Sequence, residues 1–197
     1  MPKPSATYLE GTLPSRTEIP SVKWKNIDIG AAYYYITSTL TEWMPLFKYP
    51  SVRAIVCEEI SRATAECGGH ISAYVIMPDH LHLLGYLPNG NLLHKYCKLW
   101  RGRSARRITI AAEANDFRDV LFRMARHASG GARYAVWKEQ VRSLPMYNES
   151  KLLEKIAYIH ANPVRRGLVQ HPDDWEYSSW RFYEEGVEGA IRVVPWS

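Results

Sequence analysis

Short runs with strand character alternating with stretches of helical spacing predict an α+β chain: an antiparallel sheet with helices packed on one face. Residues 31–39 are rich in tyrosine and β-branched side chains, which suits a strand. Residues 71–77 and 80–87 are a second and a third, separated only by Pro78 and Asp79, so they read as a hairpin. Between the first strand and the hairpin, Val52, Ile55, Val56, Ile60 and Ala63 recur at helical spacing, and Gly68-Gly69 ends that helix. Leu92, Leu93, Tyr96 and Leu99 open another helix. A further helical stretch lies around 117–126, before the Gly130-Gly131 break. Residues 134–137 are expected to form a short strand. Asn148 is a cap for a helix from 149 to about 161.

With 197 residues, 46% of them hydrophobic, the chain can bury a core, and one domain is expected. Residues 1–28, with Pro2, Pro4, Pro14 and Pro20, read as an extended arm. The domain follows over 29–185, and 186–197 is a tail. No apolar run approaches the ~20 residues of a membrane span, and the N-terminus has no signal-peptide core. Cys57, Cys67 and Cys97 are an odd number without metal-ligand spacing, so buried thiols in a reducing cytoplasm are expected, with no membrane partner.

Chemistry is concentrated at two places. His80 and His82 stand two apart on the third strand and leave one face of it, a spacing that grips one divalent ion. Tyr158 and Asn162 stand four apart on the last helix and share a face. Leu152, Leu153, Ile156 and Ile159 form the apolar arc of that helix. Tyr158 lies off it and is not needed as core filler. His160 points toward the apolar side and reads as a packed histidine. Asn162 has two readings, the end of a helix before Pro163 or a ligand. Imidazole and amide oxygen suit Mg²⁺ or Mn²⁺, which polarises a phosphate as a Lewis acid. A phenol, with an ordinary pKa of ~10, needs such help before it attacks.

The net charge of +5 permits nucleic acid without demanding it. Lys95, Lys98, Arg101, Arg103, Arg106 and Arg107, interleaved with Tyr96 and Trp100, form the candidate DNA-binding surface, against the plainer reading of a solvated helix face.

The run from Ala73 to Leu84, with Met77-Pro78-Asp79-His80-Leu81-His82 at its centre, resembles the metal-binding motif of the REP-associated tyrosine transposases, which are HUH single-tyrosine transposases. Tyr158-Ile159-His160-Ala161-Asn162-Pro163-Val164 with Gly167-Leu168-Val169 resembles their nucleophile signature, and Trp175-Glu176-Tyr177-Ser178-Ser179 their aromatic-Ser-Ser close. The resemblance spans about 31–183. It implies a ferredoxin-like sheet, with the nucleophile helix beside the histidine strand. His80, His82 and Asn162 are then the metal ligands and Tyr158 the nucleophile. The implied reaction is cleavage and rejoining of single-stranded DNA beside a hairpin or palindromic repeat, through a 5′-phosphotyrosine, by a monomer or a homodimer. The alternatives are a domesticated hairpin-binding module without useful cleavage and a metal-dependent hydrolase using water. Residues 101–136 and the segment from Lys138 to Tyr147 depart from the family pattern. Tyr147 is the rival nucleophile.

Overall fold

The computed structural model describes residues 30–196, so the expected arm over 1–28 lies outside the described residues. Four strands, β1 (Ala32–Thr39), β2 (His70–Ile76), β3 (His80–Leu87) and β4 (Arg142–Met146), form one sheet in the order β2-β3-β1-β4. All neighbouring pairs are antiparallel. Helix α1 (Pro50–Glu66) joins β1 to β2, and α2 (Leu92–Ala114) with α3 (Arg118–Arg126) joins β3 to β4. This is the expected ferredoxin-like arrangement. Helices α4 (Glu149–Arg165) and α5 (Trp180–Glu185) follow it.

Strand β3 is buried on both faces, as an interior strand between two layers must be. Leu81 and Leu83 point into a core that includes Tyr34, Ile36, Tyr74 and Ile76 of the sheet and Val56, Ile60 and Trp100 of α1 and α2. The other face carries Tyr35, Ala73, Val75 and Leu84, covered by Leu152, Ile156 and Ile159 of α4. Packing on one face thus holds for α1 and α2. Helix α4 takes the opposite face, which is the histidine face.

Two local expectations are corrected. Residues 134–137 contribute only an isolated bridge between Trp137 and Leu40, and the fourth strand is Arg142–Met146. Pro145 hides it from a pattern search, yet proline is tolerated on an edge strand, and β4 is an edge. Helix α4 also runs past Asn162 and Pro163 to Arg165. Asn148 caps its start by accepting the Lys151 amide at 2.9 Å. Gly167, at φ +66°, ends it in the left-handed conformation that a side chain disfavours.

The Trp175–Ser179 motif is a strap along β2. Trp175 Nε1 donates to the Ile76 carbonyl at 3.0 Å, and the Ser179 amide donates to the Tyr74 carbonyl at 3.0 Å. Ser179 Oγ accepts the Tyr74 amide at 2.9 Å and stands 2.8 Å from His160 Nε2. Farther on, the Val194 amide donates to the Ile71 carbonyl. The edge of β2 is therefore covered, and α4 is tied to it through His160, packed as expected.

Helices α1 and α2 are joined by charge as well as by core. Arg103 forms a two-point bond with Glu66 at 2.6 and 3.0 Å. Arg107 Nη1 reaches Glu58 at 2.7 Å and the buried Glu59 at 2.9 Å. The segment 101–136 therefore continues α2 and adds α3.

Removing Arg107 leaves the Glu59 carboxylate, only 4% exposed, without its cation. Arg107→Ala is expected to cost about 1–3 kcal/mol in denaturant unfolding. Arg106→Ala on the exposed face should stay within about 0.5 kcal/mol. Equal effects of the two variants contradict the clasp.

Burial lowers the His160 pKa from 6.5 to about 3. Below about pH 6.5 the unfolded chain then binds the extra proton, so stability is present above that pH and lost as pH falls. Each pH unit costs about 1.4 kcal/mol from this ring. His82 is shifted in the same direction, so the test compares variants. His160→Gln is expected to flatten the pH dependence of the urea midpoint between about pH 6 and 4. A slope unchanged from the parent chain contradicts the assignment.

Candidate functional site

The site is built on three elements whose registers bring them together. Thr37 of β1 stands opposite His82 of β3, and Thr39 opposite His80. Tyr35, Thr37, His80 and His82 therefore share the sheet face that α4 crosses. On α4, Lys155, Tyr158, Asn162 and Arg165 recur at spacings of three, four and three, which makes one stripe.

The paired histidines are as close as their spacing predicts. Their ring centroids are 4.9 Å apart and nearly perpendicular, and both residues are buried. The Tyr158 ring stands edge-on to His82 at 5.6 Å and to Tyr35 at 6.1 Å. Histidine pair and tyrosine thus meet within one chain. Asn162 is buried one turn on, and its Nδ2 donates to the Tyr158 carbonyl at 2.7 Å. That bond uses the nitrogen and leaves the amide oxygen as the atom suited to a ligand.

Each imidazole has its Nδ1 engaged. His80 Nδ1 is 2.5 Å from Asp79 Oδ1, in the hairpin turn. His82 Nδ1 is 2.7 Å from the Tyr35 hydroxyl and 3.0 Å from Thr37 Oγ1. With Nδ1 occupied on both rings, Nε2 is the atom each offers, and a carboxylate behind a histidine is the arrangement that orients a metal ligand. Burial, then His80, Arg166 and Lys155, push the His82 pKa well below 6.5, so the ring is neutral and keeps a lone pair. Asp79 is held below the ordinary carboxylate range. Burial opposes this, but His80 and Arg166 outweigh it. Burial pushes the Tyr35 hydroxyl above its ordinary range, so it stays protonated. Among the described residues no cluster of three or more His, Cys, Asp or Glu side chains is gathered. The residues that could hold an ion here are the histidine pair and oxygen donors such as Asn162, a donor set that would suit Mg²⁺ or Mn²⁺ better than a closed zinc site.

Cations border the Tyr158 face of α4. Lys155 Nζ is 5.4 Å from the Tyr158 ring centroid and Arg165 Cζ 5.1 Å from it, while Arg166 lies 3.7 Å from Asp79. Sequence reasoning passed over all three. Helical spacing from Tyr158 was the signal for Lys155 and Arg165. Tyr35 and Thr37 were also missed, because only the strand register shows them beside His82.

The six-residue basic cluster is not brought to this site. It lies on α2, against the opposite face of the sheet. Arg103 and Arg107 are taken up by carboxylates of α1, and Arg101 donates to the Lys138 carbonyl. Lys95, Lys98 and Arg106 are exposed. Two of the six are thus engaged in ion pairs and a third in a bond to a backbone carbonyl. Tyr147 is 73% exposed before α4, and its electrostatic neighbour is Tyr34, on the sheet face away from the histidines.

No protein-family model matches the chain. It is 24% identical over 127 residues to the REP-associated tyrosine transposase of Escherichia coli K12, a match covering 64% of this chain. That match spans 62% of the E. coli protein, under two thirds of its length. It is 27% identical over 166 residues to a Haemophilus influenzae protein provisionally given the same name, covering 82% of this chain and 78% of that one. Among solved structures, a REP-associated tyrosine transposase bound to a REP hairpin superposes with a TM-score of 0.62. The superposition covers 89% of this chain and 95% of that one, at 17% identity, and shows a shared fold. No helix of the described residues is long and apolar enough to cross a membrane.

Proposed function

We propose that this chain, similar in sequence to REP-associated tyrosine transposases and sharing their fold, cuts and rejoins single-stranded DNA beside hairpins or palindromic repeats. The carrying observation is the tyrosine held 5.6 Å from a buried, neutral histidine of a strand pair whose Nε2 atoms are both available. A pure binding module has no use for that arrangement. A hydrolase using water has no use for the tyrosine.

Tyr158 is the nucleophile in this reading. Its oxygen bonds to the scissile phosphorus, the bond from phosphorus to the 3′-oxygen breaks, and the phenolic proton passes to solvent. The 3′-oxygen leaves as a hydroxyl after taking a proton, and the DNA 5′-phosphate stays on the tyrosine. Attack by a 3′-hydroxyl reverses the step, so no nucleotide cofactor is consumed. His80 and His82, with the Asn162 oxygen, would hold Mg²⁺ or Mn²⁺, which supplies Lewis-acid polarisation of the phosphate. Lys155 and Arg165 offset phosphate charge from the helix side. Tyr35 and Thr37 orient the His82 ring, and Asp79 orients His80. Because histidines and tyrosine meet in one chain, a monomer is sufficient, and a homodimer is not required. The substrate puts the activity with the DNA, in the cytoplasm.

The test uses single-stranded hairpin oligonucleotides with Mn²⁺, resolved on denaturing gels. The parent chain is expected to give a covalent protein–DNA band. Tyr158→Phe should abolish that band while keeping DNA affinity. Cut DNA without an adduct indicates the hydrolase, and retained but uncut DNA the binding module. His80→Ala and His82→Ala should each remove metal-dependent cleavage, and Asn162→Ala should reduce it less, since water replaces a neutral amide oxygen.

Tyr35→Phe keeps the ring and deletes the hydroxyl that meets His82. Cleavage is expected to fall about ten- to a hundred-fold, the usual size of a lost partner behind a metal ligand. Full activity in this variant assigns the orientation of His82 to Thr37 alone.

A further inference from the structure

Immediately after β1 the chain does something costly. Glu42 and Trp43 both adopt positive φ, +52° and +50°, a left-handed conformation unusual for two successive residues other than glycine. The Glu42 carboxylate is clamped from both sides, by Arg123 Nε at 2.7 Å and His127 Nε2 at 2.6 Å. The result of this turn is an indole left 60% exposed. A tryptophan that served the core would be turned inward, and nothing in the turn's own bonding requires an aromatic ring there.

The surroundings of the ring are cationic. Lys138 carries its ammonium over the indole. The Lys138 backbone is itself pinned: its amide donates to the Thr39 carbonyl at 2.9 Å, and its carbonyl accepts from Arg101. Next to Thr39, the Leu40 amide donates to the Asp79 carbonyl at 2.9 Å, and the Asp79 carboxylate is bonded to His80. Thr39 stands opposite His80 in the sheet. The Trp43–Lys138 pair therefore sits at the histidine end of the sheet, at the rim of the candidate site.

We infer that Trp43 and Lys138 form a docking point for one unpaired nucleotide of the DNA strand, the base stacking on the indole and the ammonium meeting its phosphate. The inference rests on the single-stranded DNA reading given above and adds to it where the strand enters or leaves. A flat exposed ring fits any base, because every base has a π-face, and an adjacent cation fits the backbone. The clamp on Glu42 holds the ring in place before DNA arrives, so little ordering remains to be done on binding. Arg101 acts here at one remove, by fixing the loop that carries Lys138.

The experiment compares two ligands by fluorescence anisotropy: an oligothymidylate, and a backbone of equal length built of abasic sugar phosphates. The parent chain is expected to prefer the oligothymidylate. Trp43→Ala should reduce that preference about five- to a hundred-fold, the size of one lost base–aromatic stack. Trp43→Phe should restore most of it, which separates a stacking role from damage to the turn. Lys138→Ala should weaken both ligands alike and lower the slope of log affinity against log salt by ~0.7. If the parent binds the oligothymidylate and Trp43→Ala binds it equally well, the docking point is overturned while the DNA reading stands, and the indole is free for a protein contact. If the parent binds neither ligand, the DNA reading falls and this inference with it.

Discussion

A buried imidazole must satisfy one ring nitrogen before the other is useful, and β3 carries two of them inside a packed layer. His80 meets the requirement locally, through the neighbouring Asp79. His82 meets it through Tyr35 and Thr37, brought over from β1 by the strand register. Both solutions occupy Nδ1, so both rings present Nε2, and burial keeps His82 neutral. The burial that makes these rings expensive to place also makes their orientation definite.

Helix α4 completes the site only because it is held firmly over that face. Leu152, Ile156 and Ile159 supply apolar contact to the sheet. His160 adds a polar tie to Ser179 and so to β2. One helix thus has two working sides, with His160 anchored on one and the Lys155–Tyr158–Asn162–Arg165 stripe facing the histidines or the rim on the other. Pro163, inside the last turn, removes one backbone bond to the preceding turn, and the helix ends soon afterwards, at Gly167.

The basic residues divide by partner. Those on α2 that meet carboxylates of α1 hold two helices together. Arg165 and Lys155 flank the tyrosine, and Lys138 flanks an exposed indole. Charge density along the sequence does not distinguish these uses, since it ignores what packs opposite. Arg103 and Arg107 look identical to phosphate-binding arginines until Glu66 and Glu59 are found against them.

The sequence by itself determined whatever depends on local backbone geometry. Strand alternation put His80 and His82 on one face, helical spacing put Tyr158 and Asn162 on another, and Asn148 marked where the helix begins. The hairpin and both flanking helices were legible for the same reason. Motif resemblance then linked the two places and supplied the ferredoxin-like order. Only the tertiary structure decided what lies between distant segments: that α4 covers the face opposite α1 and α2, that an edge strand with a proline closes the sheet, and that Tyr35 stands behind His82. Tyr35 and His82 are 47 residues apart, and Arg123 and Glu42 are 81 apart. Such pairings follow from register and packing, which no periodicity along the chain encodes.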